Sequence, residues 1–380
     1  MSRAGYKRLG DYIRQVDVRN RDLSVDVLLG VSVNKYFIPS IANTIGTDMS
    51  SYKIVCSGQF VYIPDTSRRG DKIAIALLDK WNKALVSAIY TVFEIVDEGK
   101  LLPEYLMMWF RRPEFDRYAR FKSHGSAREV FEWEEMCDVM LPVPPIEKQR
   151  QIVAEYQAIE RRIENNRRLI ATLEDTARTI YRKMFVDDID PENLPEGWRM
   201  GTLTDIAIYF NGAACQKFAS AFSATLPVLK IRELSQGFAD SNSDRVSKHI
   251  PASYIINNDD LIFSWSATLL IDYWQGGTVA LNQHLFKIIP LGNFPSWLVY
   301  FGTKEHIVNW TRMISAKATS MSHIKREDLE NARIVIPSHK DLSIIDIQIA
   351  PQMLLMNSIK REVNNNLMLL QVLLSKLSKL

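Results

Sequence analysis

Cysteine is scarce and isolated in this chain. Of 380 residues only three are Cys, at positions 56, 137 and 215. They stand far apart with no CxxC or Cys/His cluster, which argues against a disulfide framework and against a zinc site. The six histidines are scattered, and none has a second ligand at metal spacing. Neither sign of charge is in surplus: 47 Lys and Arg against 44 Asp and Glu leave a formal +3. A nucleic-acid surface would therefore have to come from segregation of charge within the fold. No apolar run approaches the roughly 20 residues of a membrane helix, and Met1-Ser2-Arg3 leads into charged sequence. The expectation is a soluble, cytoplasmic chain without a targeting segment or membrane contact.

Catalytic signatures are missing as well. There is no glycine-rich phosphate loop, GxGxxG, HExxH or G-x-S-x-G. The only Pro-Pro, Pro144-Pro145, stands at a helix entrance, outside the Asn/Asp-Pro-Pro-aromatic context that methyl transfer would need. Pro64-Asp65 with Glu98-Gly99-Lys100 formally fits a permissive metal-nuclease pattern. However, Asp97 to Lys100 reads as a surface turn, and the second half has no copy. No catalytic residue and no metal ligand are assigned.

What is present is a long-range repeat. Ile159, Ile163, Asn166, Ile170, Leu173, Ala177 and Ile180 match Ile359, Val363, Asn366, Leu370, Leu373, Leu377 and Leu380 at an offset of 200. The spacing alternates four and three, the seam of a coiled coil, with one polar residue at the same place in both copies. Globular sequence precedes each copy, and landmarks recur at nearby offsets: Leu9-Gly10-Asp11 with Leu203-Thr204-Asp205, and Pro103 to Leu106 with Pro295 to Leu298. With 47% hydrophobic and 10% aromatic residues, both globules can bury cores.

The predicted fold is α+β: two α/β globules in tandem pseudo-repeat, separated by two long helices forming an antiparallel coiled coil. The boundaries are residues 1–145 for the first globule, 146–186 for the first helix, 187–337 for the second globule and 338–380 for the second helical segment. Pro351 suits the first turn of the second helix, which would make it the shorter of the two. An antiparallel pairing about the midpoints would then bring Asn166 and Asn366 together, amide to amide. A parallel pairing stays open, but it needs the intervening globule to carry the chain back along the whole coil. The pairing residues expected are Ile159, Ile163, Asn166, Ile170 and Leu173 with Ile359, Val363, Asn366, Leu370 and Leu373.

Basic and aromatic residues in turn-like places are the binding candidates. In the first globule these are Asn34, Lys35, Arg68, Arg69, Lys72, His124, Ser126 and Arg128. In the second they are Lys230, Arg232, Trp265, Asn282, Gln283, His284, Lys317, Thr319, Ser320, His323 and Lys325. Arg and Lys suit phosphates and guanine edges, Asn and Gln suit adenine, and hydroxyls fix register. Taken singly each reads first as a solvated loop, and Asn282-Gln283-His284 reads also as a polar strand end satisfying its own backbone. Recurrence in both halves favours a DNA-facing reading. Trp133, Trp297 and Trp310 sit among apolar neighbours and are expected in the core.

Longer segments carry a resemblance. Leu28 to Phe37 with Ser40 and Ala42-Asn43-Thr44, the exit Leu141-Pro142-Val143-Pro144-Pro145-Ile146-Glu147-Lys148-Gln149, Ala280 to Lys287 and Met321-Ser322-His323-Ile324 resemble type I restriction-modification specificity subunits. The likeness extends over essentially the whole chain, repeat included. In the second half Pro337-Ser338-His339-Lys340 departs from the Pro-Pro-x-x-x-Gln exit, and Leu373-Leu374-Ser375-Lys376-Leu377 only approximates the usual ending. The resemblance implies a non-catalytic subunit that reads double-stranded DNA. Each globule would be a target-recognition domain for one half of a split, asymmetric sequence. The helices would space the halves and dock two methyltransferase subunits. S-adenosylmethionine would belong to those partners, and ATP and magnesium to a translocating restriction subunit; none would be bound by this chain. The reading from another class is a protein-interaction scaffold with duplicated globules on a coiled coil.

Overall fold

The computed structural model describes residues 5–40, 46–66, 70, 72–124, 129–218, 224–316 and 323–380. Two compact units emerge: residues 1–161 with 368–380, and residues 162–367. Both cuts fall inside the long helices, so each globule takes the adjoining stretch of both helices into its own unit.

In the first unit a four-stranded antiparallel sheet runs in the order Ile13–Val16, Thr91–Ile95, Phe60–Tyr62, Ile75–Leu77. Its central strand is Phe-Val-Tyr, β-branched and aromatic, and is buried on both faces. Phe60 stacks on Phe93 at 4.9 Å, and Phe110 of the helix Pro103–Phe110 meets Phe60 edge-on. In the second unit the sheet order is Ala207–Asn211, Leu285–Pro290, Leu261–Ser264, Leu270–Tyr273. The order and the antiparallel sense are those of the first, and Phe263 stacks on Phe286 across the corresponding pair of central strands. The repeat extends to an unusual detail. Among the described residues each unit makes parallel pairing beside its sheet, Leu28 with Leu85 in one and Val228 with Ala280 in the other, where Ala213 also bridges Asn282. Trp297 and Trp310 are buried as expected, and Trp133 is half-buried 5.6 Å from Phe93.

The first long helix spans Ile146–Arg182 and the second His339–Lys376. The second is therefore not the shorter one, and Pro351 lies inside it. An interior proline costs about 3 kcal/mol through the lost N–H bond and the ring clash. Ile349, Met353 and Met356 around it are buried, and each apolar side chain returns roughly 1.5–3 kcal/mol, so packing outweighs the defect. This helix also corrects the expectation drawn from apolar runs. Residues 339–379 are long and apolar enough, by length and composition, to cross a membrane. The signal is periodic, with its inward-facing positions Leu342, Ile345, Ile349 and Met353 taken into the core of the second unit.

The helices are antiparallel within each unit. In the second, Phe185 stacks on Trp198, whose Nε1–H donates to Asp341 at the start of the second helix (2.7 Å), while Arg162 reaches Glu362 further along. In the first, the Tyr6 hydroxyl donates to Ser378 O at 3.1 Å, and Tyr6 pairs with Pro142 just before the first helix begins. Of the expected pairing residues, Ile163, Ile359, Val363 and Leu370 are buried; Ile159, Asn166, Ile170, Leu173, Asn366 and Leu373 are half-buried.

The asparagines do not meet amide to amide. Asn366 Nδ2 donates to Glu362 Oε1 at 3.5 Å. Asn166 Nδ2 is buried without a hydrogen bond of ordinary geometry. The Glu362 carboxyl is held below its usual range by Arg162 first and then by the Asn166 amide, with Asn366 adding to it against a small opposing effect of burial. Because the second helix begins near 339 and not near 352, its middle lies N-terminal to Asn366. The amides consequently pass each other and converge on one carboxylate.

Different chemistry fastens the two helix starts. Gln149, fully buried, accepts from Leu102 N–H (2.9 Å) and donates to Lys100 O and Pro144 O (2.8 Å each). This is the physical content of the Pro-Pro-x-x-x-Gln exit. The second start has no such glutamine, and indoles take its place: Trp198 donates to Asp341, and Trp297 donates to Asp346 at 2.7 Å.

Candidate nucleic-acid interface

Three separate segments of the second globule meet at the end of the strand Leu261–Ser264. Trp265 follows that strand, His284 ends the turn into the strand Leu285–Pro290, and His323 lies just before Lys325. The indole of Trp265 lies 5.9 Å from the His284 ring and 5.5 Å, edge-on, from the His323 ring. Phe286 backs it at 5.8 Å. Ser266 Oγ and His284 Nδ1 are 3.3 Å apart, and Ser266 forms a β-bridge with His323. Both imidazoles are exposed, whereas Trp265 is half-buried and its Nε1 is buried without a hydrogen-bond partner. The indole is thus a platform, and the imidazoles are what it presents. Gln283 stands half-buried beside them and Lys325 is exposed, its backbone N–H bonded to Asp328 at 2.7 Å where a short helix begins.

Asn282 does not belong to the exposed set. At 3% exposure its Oδ1 accepts from His284 N–H at 3.2 Å, and its own N–H donates to Leu229 O. It shapes the turn, as the polar strand-end reading anticipated. Arg232 is also committed internally, to Asp240 (3.0 Å), Glu233 and Ser243. These partners, Asp240 first, push its pKa up. Lys230 is ion-paired with Asp244. Both cations hold the Ile231–Gln236 helix to the loop after it, and their charge is largely neutralised there.

In the first globule Lys35 requires the firmest correction. It is 6% exposed, pairs with Asp116 at 2.6 Å and lies over the Phe115 ring. Burial pushes its pKa down, with Asp116 opposing. An ammonium so enclosed cannot reach a phosphate without breaking a buried pair. Asn34 and Lys72 remain exposed, and His124 is exposed while its backbone exchanges two hydrogen bonds with Val130 (3.1 and 2.8 Å). Arg68, Arg69, Ser126, Arg128, Lys317, Thr319 and Ser320 lie outside the described residues. Asp65, weighed as half of a metal pair with Glu98, forms a backbone β-bridge with Val130.

Sequence reasoning missed the residues that lock helix to globule. Glu174 of the first helix binds Lys304 and Tyr300, and Arg178 and Arg182 both bind Glu305. From the second helix Lys360 binds Asp272, Arg361 binds Asp259 (3.0 Å), and Asn364 donates to Gly237 O (2.9 Å) and Gln275 O (3.0 Å). A charge facing away from the seam looks solvated in one dimension; only the globule folded against it reveals a partner.

Comparison with known proteins agrees with this architecture. Residues 195–365 match the family described as the type I restriction modification DNA specificity domain. The chain is 24% identical over 268 residues to the type I restriction enzyme MjaIX specificity subunit of Methanocaldococcus jannaschii, an alignment covering 64% of this chain and 60% of that relative's length. The crystal structure of a type I restriction-modification system S subunit from M. genitalium has the same fold, with a TM-score of 0.56 at 13% identity over 98% of this chain and 95% of that one. Residues 195–365 thus carry a type I restriction modification DNA specificity domain, and the chain as a whole, with the same sheet order repeated in its first half, is similar to type I restriction-modification specificity subunits.

Proposed function

We propose that this chain is the non-catalytic DNA-recognition subunit of a type I restriction-modification complex, reading a bipartite, asymmetric duplex target through its two globules. The observation that carries this reading is one sheet architecture built twice with different exposed side chains. The second copy gathers His284 and His323 on Trp265 and lies within the specificity-domain match. A repeated scaffold with divergent surfaces reads two different half-sites.

In this reading the long helices set the unread spacer and dock methyltransferase subunits. S-adenosylmethionine binds to those subunits. ATP and magnesium belong to a translocating restriction subunit where one is present. The net charge of +3 is too small for non-specific attraction to dominate, so phosphate contacts come from local clusters such as Lys325 with the imidazoles.

Fluorescence anisotropy of the full chain with its methyltransferase partner tests the assignment. One family of split duplexes should bind more tightly than random duplex, with affinity falling steeply as salt rises. Absent or salt-independent binding would favour a protein scaffold.

A further inference from the structure

The turn that leads into the sheet's second strand is built identically in both globules. In the first, Tyr90 N–H donates to Ser87 O at 3.1 Å; in the second, Leu285 N–H donates to Asn282 O at 3.0 Å. Matching these bonds pairs Ala88 with Gln283 and Ile89 with His284. The segment crossing the neighbouring strand end corresponds as well. Phe131 N–H donates to Pro64 O, and Ile324 N–H to Trp265 O, each at 2.9 Å.

The matched third turn residue is exposed in both copies, and its chemistry is opposite. Ile89 is 73% exposed, a large apolar side chain at a turn tip with no place in its own core. His284 is exposed, backed by Trp265 and engaged at Nδ1 by Ser266. In the tautomer in which the Ser266 hydroxyl donates to Nδ1, the ring proton resides on Nε2, and this exposed imidazole is then a donor. A thymine offers a methyl group in the major groove, and a guanine offers two acceptors, N7 and O6.

We propose that this third turn residue is a base-reading position in both globules, Ile89 packing on a thymine methyl and His284 donating to a guanine edge. The proposal rests on the functional reading above. It goes beyond it by assigning one base-contacting position per half-site and the base class each takes.

The test is selection of bound duplexes from a randomised pool by the full chain with its methyltransferase partner, comparing wild type, His284→Ile and Ile89→His. Each substitution is exposed and should leave the melting temperature unchanged. His284→Ile should relax a guanine preference at one position of one half-site by about tenfold, and Ile89→His a thymine preference in the other half by a similar factor. A split sequence enriched identically by all three proteins would overturn the proposal while leaving the functional reading intact. A wild-type selection that enriches no split sequence would overturn the functional reading itself, and the proposal with it.

Discussion

Arg162 donates from its guanidinium to the carboxylate of Glu362, and the two residues are 200 positions apart, the same position in the two copies of the helical repeat. Identical positions of a duplicated helix meet only where an antiparallel pair crosses its own pseudo-twofold axis. Away from that point every seam residue faces a non-equivalent one, which is why Asn166 and Asn366 pass each other.

Asn166 follows directly from this arrangement. Its Nδ2 is buried beside the Glu362 carboxylate without a hydrogen bond of ordinary geometry, and a poorly satisfied buried amide costs up to roughly 1–3 kcal/mol. Asn166→Leu should therefore raise the melting temperature in a thermal scan. Asn366→Leu, which removes the bond to Glu362, should gain less. Equal gains would mean that the two amides have equivalent surroundings.

Glu174 predicts an acid-sensitive joint between the first long helix and the second globule. Burial alone would raise its pKa, but Lys304 and the Tyr300 hydroxyl outweigh that and hold it below the usual carboxylate range. A carboxyl with a depressed folded pKa contributes stability above its unfolded pKa and loses it as pH falls through the folded value. Denaturant melts should show wild type losing more stability than Glu174→Gln between pH 7 and the acid side of 4.5. Parallel losses would remove this carboxylate from the joint.

Lys35 should matter for folding and not for reading. Removing one partner of a buried pair costs about 3–5 kcal/mol, so Lys35→Ala should lower the denaturation midpoint sharply. The variant that remains folded at low temperature should select the same bases as wild type. A changed base at either half-site would place Lys35 on the DNA after all.

Spacer length provides the test of the helices. Inserting one heptad into each long helix, after Asn166 and at the facing position of the second, keeps the seam in register. Duplex selection should then return both half-sites unchanged with a different number of unread base pairs between them. An unaltered spacer would separate the helices from the measurement of distance.

Much of this was legible in one dimension because it is periodic or repeated. The steps of four and three in Ile159 to Ile180 reveal a helix that wants a partner. The 200-residue offset reveals a duplication, and Gln149 in its proline-rich exit is a motif because its buried amide has three backbone partners, one of them Pro144 within the exit itself. The base-reading candidates fared differently. Trp265, His284 and His323 came together, whereas Lys35 and Asn282 turned inward and Arg232, though exposed, is tied to Asp240, since a cation or an amide in a turn has the same local sequence whether it meets solvent or a partner across the fold.

The amino-acid sequence alone determined the two globules, the two long helices and the family resemblance, for these depend on local propensity, apolar period and internal likeness. Only the tertiary structure decided where the second helix begins, which asparagine lacks a hydrogen bond of ordinary geometry and which charges are tied to partners. Those outcomes depend on burial and on partners tens to hundreds of residues away: Pro351 is held inside a helix by the core it packs against, and Lys35 is withdrawn from the surface by Asp116.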